Sequence, residues 1–150
     1  MRLHTPWLPI LFFSLAACGE SAEPLPKAPQ LISDRDEMSF DREFNSGTFV
    51  GTSGFNSVMV TNMGEDTLEV TDIVLNAPSV FTMKVSQEGA EHPANEPMQV
   101  PALKRFFIQV TFRPREAQAY QGNITIRSNA ANLPEKVIAL NGLGIAPPAP

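Results

Sequence analysis

Apolar and polar side chains alternate with a period of two through most of the chain after residue 30. The clearest segment sets four apolar residues against the polar and aromatic residues between them: Phe106, Ile108, Val110 and Phe112 against Phe107, Gln109, Thr111 and Arg113. This alternation predicts a half-buried strand. The strand should end at Arg113-Pro114, because proline cannot donate a hydrogen bond to the neighbouring strand.

The same pattern predicts further short strands along the chain. They fall at residues 58–61, 67–75, 80–85, 124–126 and 136–141, with weaker candidates at 38–40 and 48–50. The turn residues 62–66 between the first two predict a β-hairpin. About seven short strands at regular spacing predict an all-β fold, an antiparallel β-sandwich.

The first seventeen residues have a different pattern. Arg2 precedes an apolar run over residues 7–15, and small residues follow it. This order is typical of a secretory signal peptide, which we expect over residues 1–17. The run is too short for a transmembrane helix, which needs about 20 residues.

The end of this segment resembles a bacterial lipobox. Its residues are Leu15-Ala16-Ala17-Cys18, and Cys18 is the only cysteine of the chain. The resemblance implies cleavage before Cys18, a diacylglyceryl group on its thiol and a further acyl chain, such as palmitate, on its amine. Each buried methylene contributes about 0.8 kcal/mol, so several chains anchor a protein stably. The alternative is an incidental thiol in an ordinary signal peptide.

A lipid on Cys18 would place the protein in the cell envelope. The residue after Cys18 is Gly19 and not the aspartate associated with inner-membrane retention, which favours the outer membrane. Residues 18–32 contain three prolines and few large apolar side chains, so we expect a disordered linker. At about 3.1 Å per residue, fifteen residues would span roughly 45 Å.

Residues 33–145 have the length of a single domain, and 146–150 form a proline-rich tail that we expect to be disordered. Within the domain, four segments resemble ASH-type (ASPM–SPD-2–Hydin) immunoglobulin-like domains, which are related in fold to major sperm protein and pilus chaperones. They lie at 57–70, with Asn62-Met63-Gly64 between two strands, and at 110–114, 122–129 and 137–144. The resemblance covers roughly residues 39–144. It implies an immunoglobulin-like sandwich and a role in scaffolding or protein contact.

The sequence provides few groups for catalysis or metal binding. After the signal segment the chain has one histidine, His92, beside Pro93, and it has no Gly-x-Ser-x-Gly motif. A nucleophile needs a neighbouring base, and zinc needs clustered Cys and His. We therefore predict a non-enzymatic protein without a cofactor or metal. The net charge of −5 also disfavours nucleic acid as a partner.

Four phenylalanines are candidates for partner contact. Residues 44–55 interleave Phe44, Phe49 and Phe55 with glycines, and Phe107 points away from Phe106 in its strand. The rings of residues 44–55 either pin an irregular strand onto the sandwich or form an exposed contact loop. An apolar patch or an open strand edge is a route to partner binding.

Two functions remain open from the sequence. The first is a membrane-anchored accessory subunit that contacts another envelope protein. The alternative is a glycan- or small-ligand-binding module that uses the rings of residues 44–55. The lack of tryptophan after residue 7, with only one tyrosine, counts against sugar stacking.

Overall fold

A computed structural model describes residues 23–40 and 47–147 as strands and connecting loops. The strands are, in chain order, β1 (Leu31–Ser33), β2 (Glu37–Ser39), β3 (Thr48–Phe49), β4 (Gly54–Asn62), β5 (Leu68–Asn76), β6 (Phe81–Gln87), β7 (Ala90–His92), β8 (Met98–Val100), β9 (Arg105–Phe112), β10 (Ala119–Ser128) and β11 (Glu135–Ile145). The predicted signal peptide, Cys18, Phe44 and residues 148–150 lie outside the described residues. Among the described segments, none is an apolar helix of membrane-spanning length.

The strands form two facing sheets, which confirms the predicted all-β sandwich. One sheet has the order β1-β4-β9-β6-β7, and the other has β2-β11-β10-β5-β8 with β3 also beside β11. All pairs are antiparallel except those of β2 and β3, which run parallel to β11. The predicted antiparallel sandwich thus includes two short parallel pairings at this edge. Six strands are long, and the five short ones raise the count above seven.

The predicted hairpin at residues 58–75 is wrong. β4 belongs to the five-stranded sheet and β5 to the other, so residues 63–67 connect the two sheets. Both strands bury apolar residues in the same core, Val58 and Val60 on β4 and Leu68 and Val70 on β5. This pattern is the same for two strands of a hairpin and for two strands in facing sheets, so it does not decide the pairing. β4 pairs with β1 and β9, and β5 pairs with β8 and β10.

Four aromatic rings fill one end of the core. Phe112 stacks on Phe81 with a centroid distance of 4.8 Å, and Phe40 and Tyr120 lie 5.5 Å and 5.6 Å from Phe112. Gly142 of β11 lies against the Phe112 ring, where a Cβ atom would come within 2.6 Å of it. Only glycine fits here, which explains one glycine of the segment at 137–144.

The opposite end of the sandwich, which we call the base, is formed by the N-terminal segment 26–30 and the connections 63–67, 88–89, 101–104 and 129–134. Here the structure corrects the predicted linker. Leu31 is fully buried in β1, and the carbonyls of Pro26, Lys27 and Gln30 accept hydrogen bonds from the N–H groups of residues 65, 66 and 63. Prolines have no N–H to donate but keep a carbonyl that accepts. The domain therefore begins before Ser33.

Asn62, the last residue of β4, joins the elements of the base. Its side chain is completely buried, and its Nδ2 donates to the carbonyls of Asp66 and Val100 at 2.8 Å and 3.0 Å. Its Oδ1 accepts from the N–H groups of Gln30 and Gly64 at 3.2 Å and 2.9 Å. One amide therefore binds the N-terminal segment, the 63–67 connection and the end of β8.

Gly64 leaves room for the N-terminal segment. A Cβ atom at this position would lie 2.2 Å from the carbonyl oxygen of Ala28 and 2.8 Å from the Cα of Pro29. Both are backbone atoms, which cannot rotate away from a clash as a flexible side chain can. The Asn-x-Gly pair thus has a structural reason: Asn62 hydrogen-bonds the N-terminal segment, and Gly64 leaves the space that this segment needs.

The edge of the other sheet is held by an ion pair between Asp36, just before β2, and Lys136 of β11. The hydrogen bond and charge of Lys136 lower the pKa of the exposed Asp36 carboxyl. The backbone adds a bond from the N–H of Ala139 to the carbonyl of Asp36. Because Asp36 is exposed to water, the pair aligns β2 more than it stabilises the fold.

Replacing the buried amide should cost much more stability than replacing an exposed one. We expect Asn62→Ala to lower the free energy of unfolding by about 3 kcal/mol, because buried backbone partners lose their hydrogen bonds. Asn76→Ala is the matched control. The Asn76 amide is itself exposed, although its partner Thr125 is buried, and its loss should cost less than about 1 kcal/mol. Chemical unfolding measures both, and equal losses would contradict the central role of Asn62.

Candidate protein-contact face

The outward-facing residues of β4 and β9 form one continuous surface. Phe55 lies opposite Thr111, Ser57 opposite Gln109, and Met59 opposite Phe107. We call these six residues the contact face. Because side chains of paired strands alternate in step, the rings of Phe55 and Phe107 share this face, with the Ser57–Gln109 pair between them.

Both rings are accessible to solvent. The exposed fraction is 66% for Phe55 and 39% for Phe107. A shallow depression of about 430 Å³ lies between them, and its lining adds Asn56, Ser57 and Gln109 to the two rings. Two exposed rings beside polar groups that donate and accept are typical of a surface that contacts another protein.

Contact through the face is favoured over strand addition at the neighbouring edge of β4. The N–H of Ser57 donates to Oδ1 of Asn56 at 2.8 Å, and the N–H of Met59 donates to Oδ1 of Asp34 at 2.9 Å. The N–H of Asp34 in turn donates to the carbonyl of Met59. These hydrogen bonds already use the backbone groups of β4 with which an added strand would have to pair.

Positive charge flanks the contact face. Arg105 is the first residue of β9 and Arg113 directly follows its last, and neither takes part in a salt bridge between described residues. Arg105 Nη1 lies 3.5 Å from the sulfur of Met59. Lys84 of the neighbouring β6 adds little positive charge, because it pairs with Glu91 of β7 at 3.2 Å. In a chain with a net charge of −5, this surface suits a partner with acidic groups.

The outer face of the other sheet differs, because its polar groups bind one another. Arg127 bonds Asp72 and Glu135, each at 3.2 Å, and these contacts, led by Glu135, raise the pKa of its guanidinium. One large apolar side chain, Val137, is exposed there, to 49%. This face offers a matched control surface.

The remaining predicted contact residues lie elsewhere. Phe49 is half-buried in β3 beside Ile145 and does not line the depression between Phe55 and Phe107, and Phe44 falls outside the described residues. The structure therefore brings together Phe55 and Phe107 of the four. Met59, Gln109 and the flanking arginines were not among the predicted residues, although the alternation of β9 places Gln109 and Arg113 on the side of Phe107.

The described residues show no arrangement for catalysis or metal binding. No group of three or more His, Cys, Asp or Glu side chains within them could hold a metal ion. His92 Nδ1 lies 2.9 Å from the carbonyl of Pro93, its neighbour in the chain. A cleft of about 640 Å³ lies at the end opposite the base, lined among others by Thr111, Arg113 and Arg115. Both arginines are exposed.

The sequence matches no protein-family model and no curated protein. Among solved structures it is similar to the ASH/PapD-like domain 7 of human CEP192, with 13% identity and a TM-score of 0.57. The match covers 95% of this chain and 100% of that domain. The fold is therefore an immunoglobulin-like, PapD-like β-sandwich. It agrees with the resemblance to ASH-type domains that the four segments indicated.

Two bacterial structures share this fold over only part of their length. A Porphyromonas gingivalis protein of unknown function has 11% identity and a TM-score of 0.59, over 83% of this chain and 51% of that one. The secreted serine protease VesC of Vibrio cholerae has 9% identity and a TM-score of 0.50, over 77% and 23%. Identities this low show the fold alone.

The exposed rings should add little to stability. We expect Phe55→Ala to change the free energy of unfolding by less than about 0.5 kcal/mol, because its ring lies mostly in water. Phe112→Ala should cost about 3–5 kcal/mol, because it empties the aromatic cluster. Thermal or chemical unfolding compares the two. A large loss for Phe55→Ala would show that this ring belongs to the core.

Proposed function

We propose that this chain is a lipoprotein anchored through Cys18, favouring the outer membrane, and that its non-catalytic sandwich contacts another envelope protein as an accessory subunit. The observation that carries the proposal is the contact face, where Phe55 and Phe107 are exposed on one flat surface between two arginines. A partner that fits it has an apolar protrusion flanked by carboxylates. The glycan alternative has weaker support, because Phe55 is the one ring of residues 44–55 seen to be exposed.

The lipid anchor rests on the lipobox-like segment before Cys18. The PapD-like fold is compatible with a binding or accessory role and requires no chemistry at a pocket. Anchoring would also assist the contact, since a partner in the same membrane meets the domain at a high effective concentration.

Site-specific crosslinking tests the contact face in intact cells. A photoreactive phenylalanine analogue at Phe107 or Phe55 should give the same crosslinked partner, and the analogue at Val137 should give none. The partner should be a protein, because Phe55 and Phe107 lie on a sheet face and not in an enclosed ligand cavity. A crosslink from Val137 alone, or from none of the three positions, would contradict the contact face.

The crosslink from position 55 should depend on the neighbouring ring. We expect Phe107→Ser to reduce its yield by about tenfold, which corresponds to about 1.4 kcal/mol of binding free energy. Val137→Ser removes a comparably exposed side chain on the other sheet and should leave the yield unchanged.

The anchor is tested separately at Cys18. Cys18→Ser should move the protein from the membrane fraction to the soluble fraction, because serine cannot form the thioether. Mass spectrometry of the mature N-terminus should find a cysteine carrying a diacylglyceryl group and an acyl chain. An unmodified cysteine, or cleavage at another position, would refute the lipoprotein assignment.

A further inference from the structure

Three connections at the base each expose a large apolar side chain. Met63 follows β4, Leu103 precedes β9, and Leu133 precedes β11, and Leu103 is the most exposed of the three at 55%. Together they account for three of the seven large apolar side chains that are exposed in the described part of the chain. None of the three belongs to the contact face.

Hydrogen bonds fix these connections to one another. The N–H of Met63 donates to the carbonyl of Gln30, and the N–H of Leu103 donates to the carbonyl of Asn62. Asn132, next to Leu133, both donates to and accepts from the backbone of Leu31. The three side chains therefore belong to one end of the sandwich, the end at which the N-terminal segment joins it.

Leu103 is also held in an unusual backbone conformation. Its φ angle is +61°, a left-handed value that costs energy for side chains other than those of Gly, Asn and Asp. More than half of the Leu103 side chain lies in water, so it buries little apolar surface in the fold. Outliers of this kind often occur where a side chain has a function outside the core.

The N-terminal residues that follow Cys18 join the domain at this same surface. Pro26, the first residue bonded to the base, lies eight positions after Cys18. Eight residues span at most about 29 Å when fully extended. With a lipid on Cys18, the base is the part of the domain held closest to the membrane.

We propose that the base contacts the lipid bilayer, with Leu103, Met63 and Leu133 at the boundary between headgroups and acyl chains. The proposal rests on the anchor in the proposed function and adds a second, reversible membrane contact to it. Apolar side chains reach about 5–10 Å into this boundary in proteins that lie on membranes.

Charge at the base is nearly balanced, which makes the proposed contact apolar in character. Two cations, Lys27 and Lys104, lie there with three carboxylates, Glu65, Asp66 and Glu88. Lys104 and Glu88 pair with each other at 3.5 Å. We therefore expect the contact to persist at high salt, unlike one made by a polybasic surface.

A tryptophan probe tests this contact without relying on natural lipidation. Residues 18–150 contain every described strand and no tryptophan, because the single Trp7 precedes them. Their only thiol, Cys18, can be coupled to a maleimide phospholipid in phosphatidylethanolamine–phosphatidylglycerol vesicles. The probes are Leu103→Trp and Met63→Trp at the base, with Phe55→Trp near the opposite end as the control. Circular dichroism verifies that each variant is folded.

Nitroxide groups on the upper acyl chains should quench both base probes about threefold more strongly than the Phe55→Trp control. The difference should remain at high salt. Equal quenching at the base and at position 55 would overturn the proposal. A blue-shifted base probe without lipid quenching would also overturn it, because the occupant would then be a second copy of this chain.

Leu103→Asn separates membrane contact from folding. Asparagine tolerates the left-handed conformation, so the melting temperature should be unchanged or higher, while quenching of the Met63→Trp probe should fall. Unchanged quenching would contradict a role for Leu103. Because the lipid is attached chemically here, a failure of this contact is distinct from a failure of natural lipidation, which the mass of the mature N-terminus measures.

Discussion

The buried amide of Asn62 is the constraint on which the base of this sandwich depends. A side-chain amide without partners in an apolar core is costly, so its position is favourable only when both ends are fully bonded. The four backbone groups that satisfy it come from three separate parts of the chain. Without the Asn62 side chain, each of those parts would have an unpaired backbone donor or acceptor at a buried or partly buried position.

This constraint explains features that look unrelated in the sequence. Gly64 is needed because the N-terminal segment passes close above the 63–67 connection. That segment is rich in proline, yet its carbonyls bond the same connection. The backbone N–H and carbonyl of Asn62 bond the 101–104 connection. The turn that exposes Leu103 is therefore bonded directly to a buried residue.

Much of the fold could be predicted from residue patterns, because the long strands alternate cleanly. Phe106 to Phe112 shows which side chains face the core, and it also places Phe107 on the opposite side. The pairing of strands was harder to predict, because alternation does not say which sheet a strand joins: β4 and β5 are neighbours in the chain and lie in different sheets. The N-terminal segment has the composition of a linker, and the backbone carbonyls that bond it to the domain cannot be predicted from composition.

The candidate site was only partly accessible to sequence reasoning, for a related reason. Phe55 and Phe107 are 52 positions apart, and only the register between β4 and β9 places them on one face. The proposed contact face lies on the side of the sandwich and the proposed bilayer contact at its base. The two surfaces meet at β9, where Leu103 of the base and Phe107 of the contact face line one depression.

The N-terminal strands also constrain the order in which the domain can fold. Leu31 bonds Asn132, and Glu37 bonds Asn141, partners 101 and 104 positions later in the chain. The first contact needs the connection before β11 and the second needs β11 itself, and closing so long a loop is slow until other contacts have formed. Chains are made from the N-terminus. The segment nearest Cys18 is thus among the first parts of the domain to be synthesised. Its bonds to residues 62–66 can form early, but the bond from Ala131 to Pro29 and the pairing of β2 with β11 form only after nearly the whole chain has followed.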